Sequence, residues 1–284
     1  MKRLLLLVIA AFFASVATYA QDAAALINNA NEALKNKQYA QAFELYEKAM
    51  SNLGEVQVDS AINFNIGFAA LQANKLDAAI KYFDKAIDAG TNVAKCYEFK
   101  ANTYSKMKDF AKALENFEKA IEIAAADDVP GLAYNAAVTA YQGNNPEKAV
   151  LYFDKAIQGD FKATDAIYYK AVVLNKMGKD AEYKQTLVEG AEKFPTEKKI
   201  TAALANVYVS EGNEFYKKGV EIINAANEKV TQGTLKTDDA AYTAEVDKSK
   251  VEFRKAVEVL GNAIKLDATN QNAVKLMDAC KKIL

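Results

Sequence analysis

A five-residue phrase recurs four times in this chain, as Tyr46-Glu-Lys-Ala-Met50, Phe83-Asp-Lys-Ala-Ile87, Phe117-Glu-Lys-Ala-Ile121 and Phe153-Asp-Lys-Ala-Ile157, at intervals of 37, 34 and 36 residues. No other feature restricts the fold as strongly. A unit of that length cannot bury its own apolar face, so successive copies must stack and cover one another. The product is a quasi-linear array of supersecondary units that offers an extended surface.

Around the phrase runs a wider pattern: Ala, an aromatic four residues on, and Ala three residues later. The copies are Ala42-Tyr46-Ala49, Ala79-Phe83-Ala86, Ala113-Phe117-Ala120 and Ala149-Phe153-Ala156. Steps of four and three keep these residues on one stripe of a helix, where alanines admit a close neighbour and the ring fills the space beside them. Twelve residues before each first Ala stands a small residue, Ala30, Gly67, Ala101 or Ala137, the expected contact on a preceding helix. Short polar turns separate the two helices: Lys35-Asn-Lys-Gln38, Asn74-Lys75 and Gly143-Asn-Asn145. Pro146 follows the last of these at a suitable first-turn position.

Period, small residue, alanine, aromatic and alanine together resemble the tetratricopeptide repeat family. Four units match well. A fifth, roughly Thr164 to Glu197, is degenerate, with Tyr183, Leu187 and Gly190 in the stripe, but keeps Gly178 in its turn and a terminal Pro195. A sixth copy of the second-helix pattern appears as Ala256-Leu260-Ala263. The resemblance implies an all-α fold, a right-handed superhelical solenoid of antiparallel helix hairpins. The domain reading is a signal peptide over 1–20, five hairpins over 21–196, and over 197–284 an elongated hairpin, a degenerate repeat and a capping helix.

Met1-Lys-Arg3, an apolar run from Leu4 to Val16 and the small-residue segment Ala17-Thr-Tyr-Ala20 read as a secretory signal peptide, cleaved after Ala20 or after Ala17. The run is short for a membrane span, and no membrane insertion is expected after cleavage. No cysteine lies near the cleavage point to carry a lipid. The expected destination is periplasmic or extracellular.

The formal charge is −1, and loss of Lys2 and Arg3 with the leader makes it more acidic by two charges. That balance argues against nucleic acid as a partner. There is no histidine, which removes histidine triads and the commonest zinc ligand. Cys96 and Cys280 are too far apart in the array to pair or to build a thiolate site, so both are expected as buried free thiols. The glycines form neither a dinucleotide nor a Walker loop. Asp267-Ala-Thr-Asn-Gln-Asn272 lacks the glycine and closing glutamate of a calcium loop and reads as a turn. Asp127-Asp128 and Asp238-Asp239 are expected to cap helices. No catalytic, cofactor-binding or metal residue is expected.

In the family's fold the first helices of successive hairpins line the concave side. Mapped here, the resemblance implies a groove with Asn31, Phe64, Asn65, Phe68, Lys95, Asn102, Tyr134, Val138, Tyr141 and Tyr168 as partner-binding residues. Phe64 and Phe68, like Tyr134, Val138 and Tyr141, are spaced to share one helix face. Such rings either form exposed apolar surface for a partner or seal one helix against the next. One family variant grips a C-terminal carboxylate with three cations and two asparagines. Asn31, Asn65 and Lys95 match, but Ile27 and Phe99 stand where the other cations belong, which favours a more apolar ligand. The expected function is a non-enzymatic exported scaffold for a protein or peptide. The competing class is a carbohydrate- or solute-binding protein, because some outer-membrane glycan receptors are built on such helices.

Beyond Pro195, Lys198 to Ser210 and Asn213 to Val230 read as two helices, or as one helix with Gly212 in the small-residue slot. A polar loop follows, then a long helix from about Ala240 to Leu266, a turn at Asp267 to Asn270 and a final helix to Ile283.

Overall fold

The computed structural model describes residues 22–53 and 57–284; the leader read over 1–20 lies outside the described residues, which hold helices and no strand. None of these helices is long and apolar enough to cross a membrane. The chain forms two compact units, the first ending at Phe161 and the second running Lys162–Leu284. The first holds α1 (22–35), α2 (Tyr39–Ser51), α3 (Ile62–Gln72), α4 (Leu76–Asp88), α5 (Val93–Lys106), α6 (Phe110–Ile123), α7 (Val129–Gln142) and α8 (Pro146–Gln158). The second holds α9 (Ala163–Lys176), α10 (Asp180–Lys193), α11 (Lys198–Thr231), α12 (Ala240–Leu266) and α13 (Gln271–Ile283). The fifth hairpin, α9 and α10, thus sits with the C-terminal elements rather than with the first four.

The repeated stripe is the core of each hairpin. Tyr46, Phe83, Phe117 and Phe153 are at most 1% exposed, and their eight flanking alanines are fully buried. Burial of one such ring contributes about 1.5–3 kcal/mol. The small residue of the preceding helix lets the ring approach: a Cβ on Gly67 would lie 2.8 Å from Phe83 Cδ1. Each hairpin turns through one left-handed residue at the same place, Lys37, Asn74, Lys108, Asn144 or Gly178. The amide after it closes the helix end, as Gln38 does on the Ala33 carbonyl and Lys75 on that of Ala70, both at 2.8 Å. Pro146 occupies the first turn of α8 as expected. Asp128 and Asp239 stand at N-cap positions, but neither side chain bonds its helix. This corrects the capping role expected of them; Asp239 instead accepts the Lys236 amide at 2.8 Å within the loop.

The joints between hairpins of the first unit alternate in chemistry. Glu47 accepts the Tyr82 hydroxyl from the next hairpin. Glu118 accepts that of Tyr152 at 2.9 Å, together with Lys148 at 2.5 Å. Asp84, in the even-numbered hairpin between them, takes Lys100 at 2.5 Å. Burial, and then the neighbouring carboxylate, push both phenols well above their usual range. Tyr82 and Tyr152 are 70 residues apart, as are the left-handed pairs Asn74/Asn144 and Lys108/Gly178. The phrase therefore repeats as a doubled hairpin as well as a single one.

In the second unit, α11 is one unbroken helix of 34 residues. Of the two sequence readings, the single helix holds, with Gly212 in the small-residue slot. Its glycines are notches for the antiparallel α12: a Cβ on Gly212 would meet Leu260 Cγ at 2.7 Å, and one on Gly219 would meet Phe253 Cζ at 2.8 Å. Ala256, Leu260 and Ala263 are fully buried there, so the sixth copy of the stripe packs as the first four do. Cys96 and Cys280 are buried and unpaired.

Candidate functional site

In the first unit the residues expected to line a groove are largely engaged with one another. Phe64 and Phe68 on α3 are half-buried in an aromatic cluster centred on Phe99 of α5. Ring centroids lie 5.8 Å apart for Phe64–Phe99, 5.3 Å for Phe68–Phe99 and 5.8 Å for Phe83–Phe99, and Tyr39 meets Phe68 edge-on at 6.0 Å. These rings seal α3 against α5. Tyr134 is 9% exposed and sits edge-on to Phe153 at 6.0 Å and Phe161 at 5.9 Å. That corrects its expected place on an open face; it is a core residue. Val138 and Tyr141 remain half-exposed on α7.

The polar members have partners too. Tyr46 stands where the other hairpins carry phenylalanine, and its buried hydroxyl requires an acceptor. It donates to Asn31 Oδ1 at 2.5 Å. Burial raises the Tyr46 phenol, opposed by Asn65. Lys95 pairs with Glu98 at 2.9 Å, and that bond holds its ammonium above the ordinary range. Asn102 is the exception. With Leu71, Gln72, Phe99, Ser105 and Lys106 it lines a hollow of about 460 Å³ between α3 and α5.

A larger set of hollows lies in the second unit, along one face of α11. Lys199, Ala202, Ala203, Asn206, Val209, Ser210, Asn213 and Tyr216 recur at steps of three and four and so form a single stripe. Three hollows open on it. One of about 440 Å³ lies against Tyr168, Val172 and Asn175 of α9; one of about 500 Å³ against Asp180, Tyr183 and Lys184 of α10; one of about 580 Å³ against Asn272, Lys275 and Leu276 of α13. Asn206 borders all three. Its Oδ1 accepts from Asn270 Nδ2 at 3.0 Å.

The chemistry of this stripe is that of carboxamides over a floor of small side chains. Asn175, Asn213 and Asn272 have no side-chain hydrogen bond among the described residues, so each offers a donor and an acceptor. Lys184 binds both oxygens of Glu211 at 2.6 and 2.9 Å, and Lys199 binds Asp165 at 3.0 Å. Asp180 and Glu214 stay without an ion-pair partner among the described residues. Burial, then Tyr168 beside it, raises the Tyr183 phenol. Of the ten groove residues expected from sequence, Tyr168 borders these hollows, and it does so from α9. The α11 and α13 residues were missed because 197–284 was read as an elongated hairpin, a degenerate repeat and a capping helix; the steps from Lys199 to Tyr216 are the signal that could have found them. Among the described residues no group of three or more Cys, Asp or Glu is placed to hold a metal.

Comparison with known proteins agrees with this fold. Two Tetratricopeptide repeat family profiles match, over residues 58–126 and 100–166, and that stretch carries tetratricopeptide repeats. No curated protein matches it. Among solved structures it is similar to a tetratricopeptide repeat protein from Parabacteroides merdae, at 17% identity and a TM-score of 0.51, covering 92% of this chain and 99% of that one. It is also similar to the C-terminal part of a TPR repeat-containing protein from Cytophaga hutchinsonii, at 16% identity and a TM-score of 0.53, covering 88% and 99%. The apo form of RapI aligns at 16% identity and a TM-score of 0.50, covering 92% and 99%. At these identities the likeness speaks for the solenoid fold alone.

Proposed function

We propose that this protein is an exported, non-catalytic scaffold that holds a protein or peptide partner along its first-helix faces. The observation that carries the reading is the run of three hollows on one face of α11, lined by the amides of Asn175, Asn206, Asn213 and Asn272, of which all but Asn206 have no side-chain hydrogen bond among the described residues. A stacked array offers many weak contacts along a line, which suits an elongated ligand better than a reacting small molecule. Export rests on the basic start, apolar run and small-residue site of residues 1–20. Tyr168 and Tyr216 beside the amides also suit a sugar ring, and glycan binding is the competing reading.

The test is site-specific photocrosslinking in the producing cell, with a photoreactive amino acid at Val209 and, separately, at the exposed Leu151 on α8. A discrete protein adduct from Val209 and none from Leu151 supports the groove. Adducts from Leu151 alone would place the partner on α8 of the first unit and refute the groove. N-terminal sequencing of the released protein should begin at Gln21 or Thr18; an intact Met1 removes the export reading.

A further inference from the structure

The middle of the α11 stripe has a chemical polarity that narrows the partner. Around the hollow between α10 and α11, Glu211 is neutralised by Lys184, while Asp180 and Glu214 are left as carboxylates without an ion-pair partner among the described residues. On the other side of Asn206 the hollow against α13 carries a single cation, Lys275, and otherwise amides, the hydroxyls of Ser210 and Tyr216, and apolar side chains. Between and beyond them stand Asn175, Asn206, Asn213 and Asn272, on three helices. A carboxamide matches a peptide unit, donating to its carbonyl and accepting from its amide, and does so whatever side chain the unit bears. The floor under the amides is Ala202, Ala203 and Ser210, which leaves room for a backbone to lie close.

We propose that this stripe takes an extended polypeptide main chain through its asparagines, and that the segment places one lysine or arginine between α10 and α11 against Glu214 and Asp180. The inference rests on the reading of the protein as a peptide-binding scaffold and adds the chemistry of the segment. Charge complementarity selects the occupant. An acidic or phosphorylated segment would bring its charge against two unneutralised carboxylates, and an apolar helix would leave the amides facing hydrocarbon. Recognition of this kind is tolerant of sequence except at the basic position.

The experiment is a display selection of random ten-residue peptides on the purified full chain, followed by affinity measurement on synthetic peptides from the winners. The expected result is enrichment of Lys or Arg at one position. Replacing that residue by Gln should weaken binding about two- to fivefold, the range of an exposed charge pair. Glu214→Gln and Asp180→Asn in the protein should weaken it comparably, and added salt should erode the difference. Asn206→Ala with Asn213→Ala should weaken all winners, including those with the basic residue removed, while Lys275→Gln should not. Helix content by circular dichroism is checked for each variant, and the peptide substitution tests the same contact without touching the fold.

Winners without basic enrichment, or affinities indifferent to the Glu214 and Asp180 changes, overturn the inference and leave the scaffold reading standing. Winners that ignore the asparagine pair place the peptide elsewhere on the chain and likewise overturn it. No winners at all, with reproducible binding on a glycan array, overturn both.

Discussion

Gly219 lies inside a long helix, where glycine costs about 1 kcal/mol relative to alanine, so Gly219→Ala would ordinarily stabilise α11. The structure reverses that sign. The added Cβ would lie 2.8 Å from Phe253 Cζ and 2.9 Å from Cε1, against about 3.5–4.0 Å for an unstrained carbon contact. Phe253 is fully buried and has Tyr216 beside it at 5.6 Å between centroids, so the ring has little room to retreat. Overpacking of this kind costs about 1–3 kcal/mol. Offset by the helix gain, the net loss should be about 1 kcal/mol.

Phe253→Leu shortens the side chain and removes the clash, at a cost of its own well short of the roughly 3–5 kcal/mol for truncation to Ala. On that background Gly219→Ala should become stabilising by about 1 kcal/mol, which makes the coupling in the double-mutant cycle about 2 kcal/mol. Urea unfolding reports the balance, and hydrogen exchange of the α11 and α12 amides confines it to the second unit. Equal effects of Gly219→Ala on both backgrounds would falsify the notch.

Three further outcomes are expected. Tyr82→Phe should cost about 1 kcal/mol in urea unfolding, because the joint loses its bond to Glu47, and Tyr152→Phe less, because Glu118 keeps Lys148; equal losses would deny the lysine a share in the second joint. Burial pushes the Cys96 thiol up to about 11 from 9.0, so between about pH 9 and 11 the unfolded chain has lost a proton the folded chain keeps, and stability should fall as pH rises through that window. Cys96→Ala should flatten the slope between those limits, whatever it does to stability at pH 7; an unchanged slope refutes the assignment. Ala86→Leu and Ala120→Leu, at fully buried positions of the stripe, should each cost about 1–3 kcal/mol and loosen the adjoining hairpin in hydrogen exchange, and an unchanged melting curve would mean the stripe is not the packing surface.

What the sequence disclosed, and what it withheld, follows from which contacts a repeat holds constant. The alanine–aromatic–alanine stripe packs against the same small-residue slot in every hairpin, so its identities recur, and four copies were enough to place the core. The reason for Gly219 sits at Phe253, on another helix. Read locally, a glycine there only weakens a helix; read against α12, it is the notch that admits Phe253. The groove was hard to see for the opposite reason. Helical spacing put Phe64 and Phe68 on one face, but it could not say that Phe99, set aside because it stood where a cation was sought, would close over both rings. Likewise Tyr46, the one hydroxyl in a column of phenylalanines, occupies the Oδ1 of Asn31. The stripe on α11 repeats no identity, only a spacing, and its Asn213 has no side-chain hydrogen bond among the described residues. Residues that every copy must share describe the stack. Those that no copy shares, and that the stack leaves unpaired, are where a partner is to be sought.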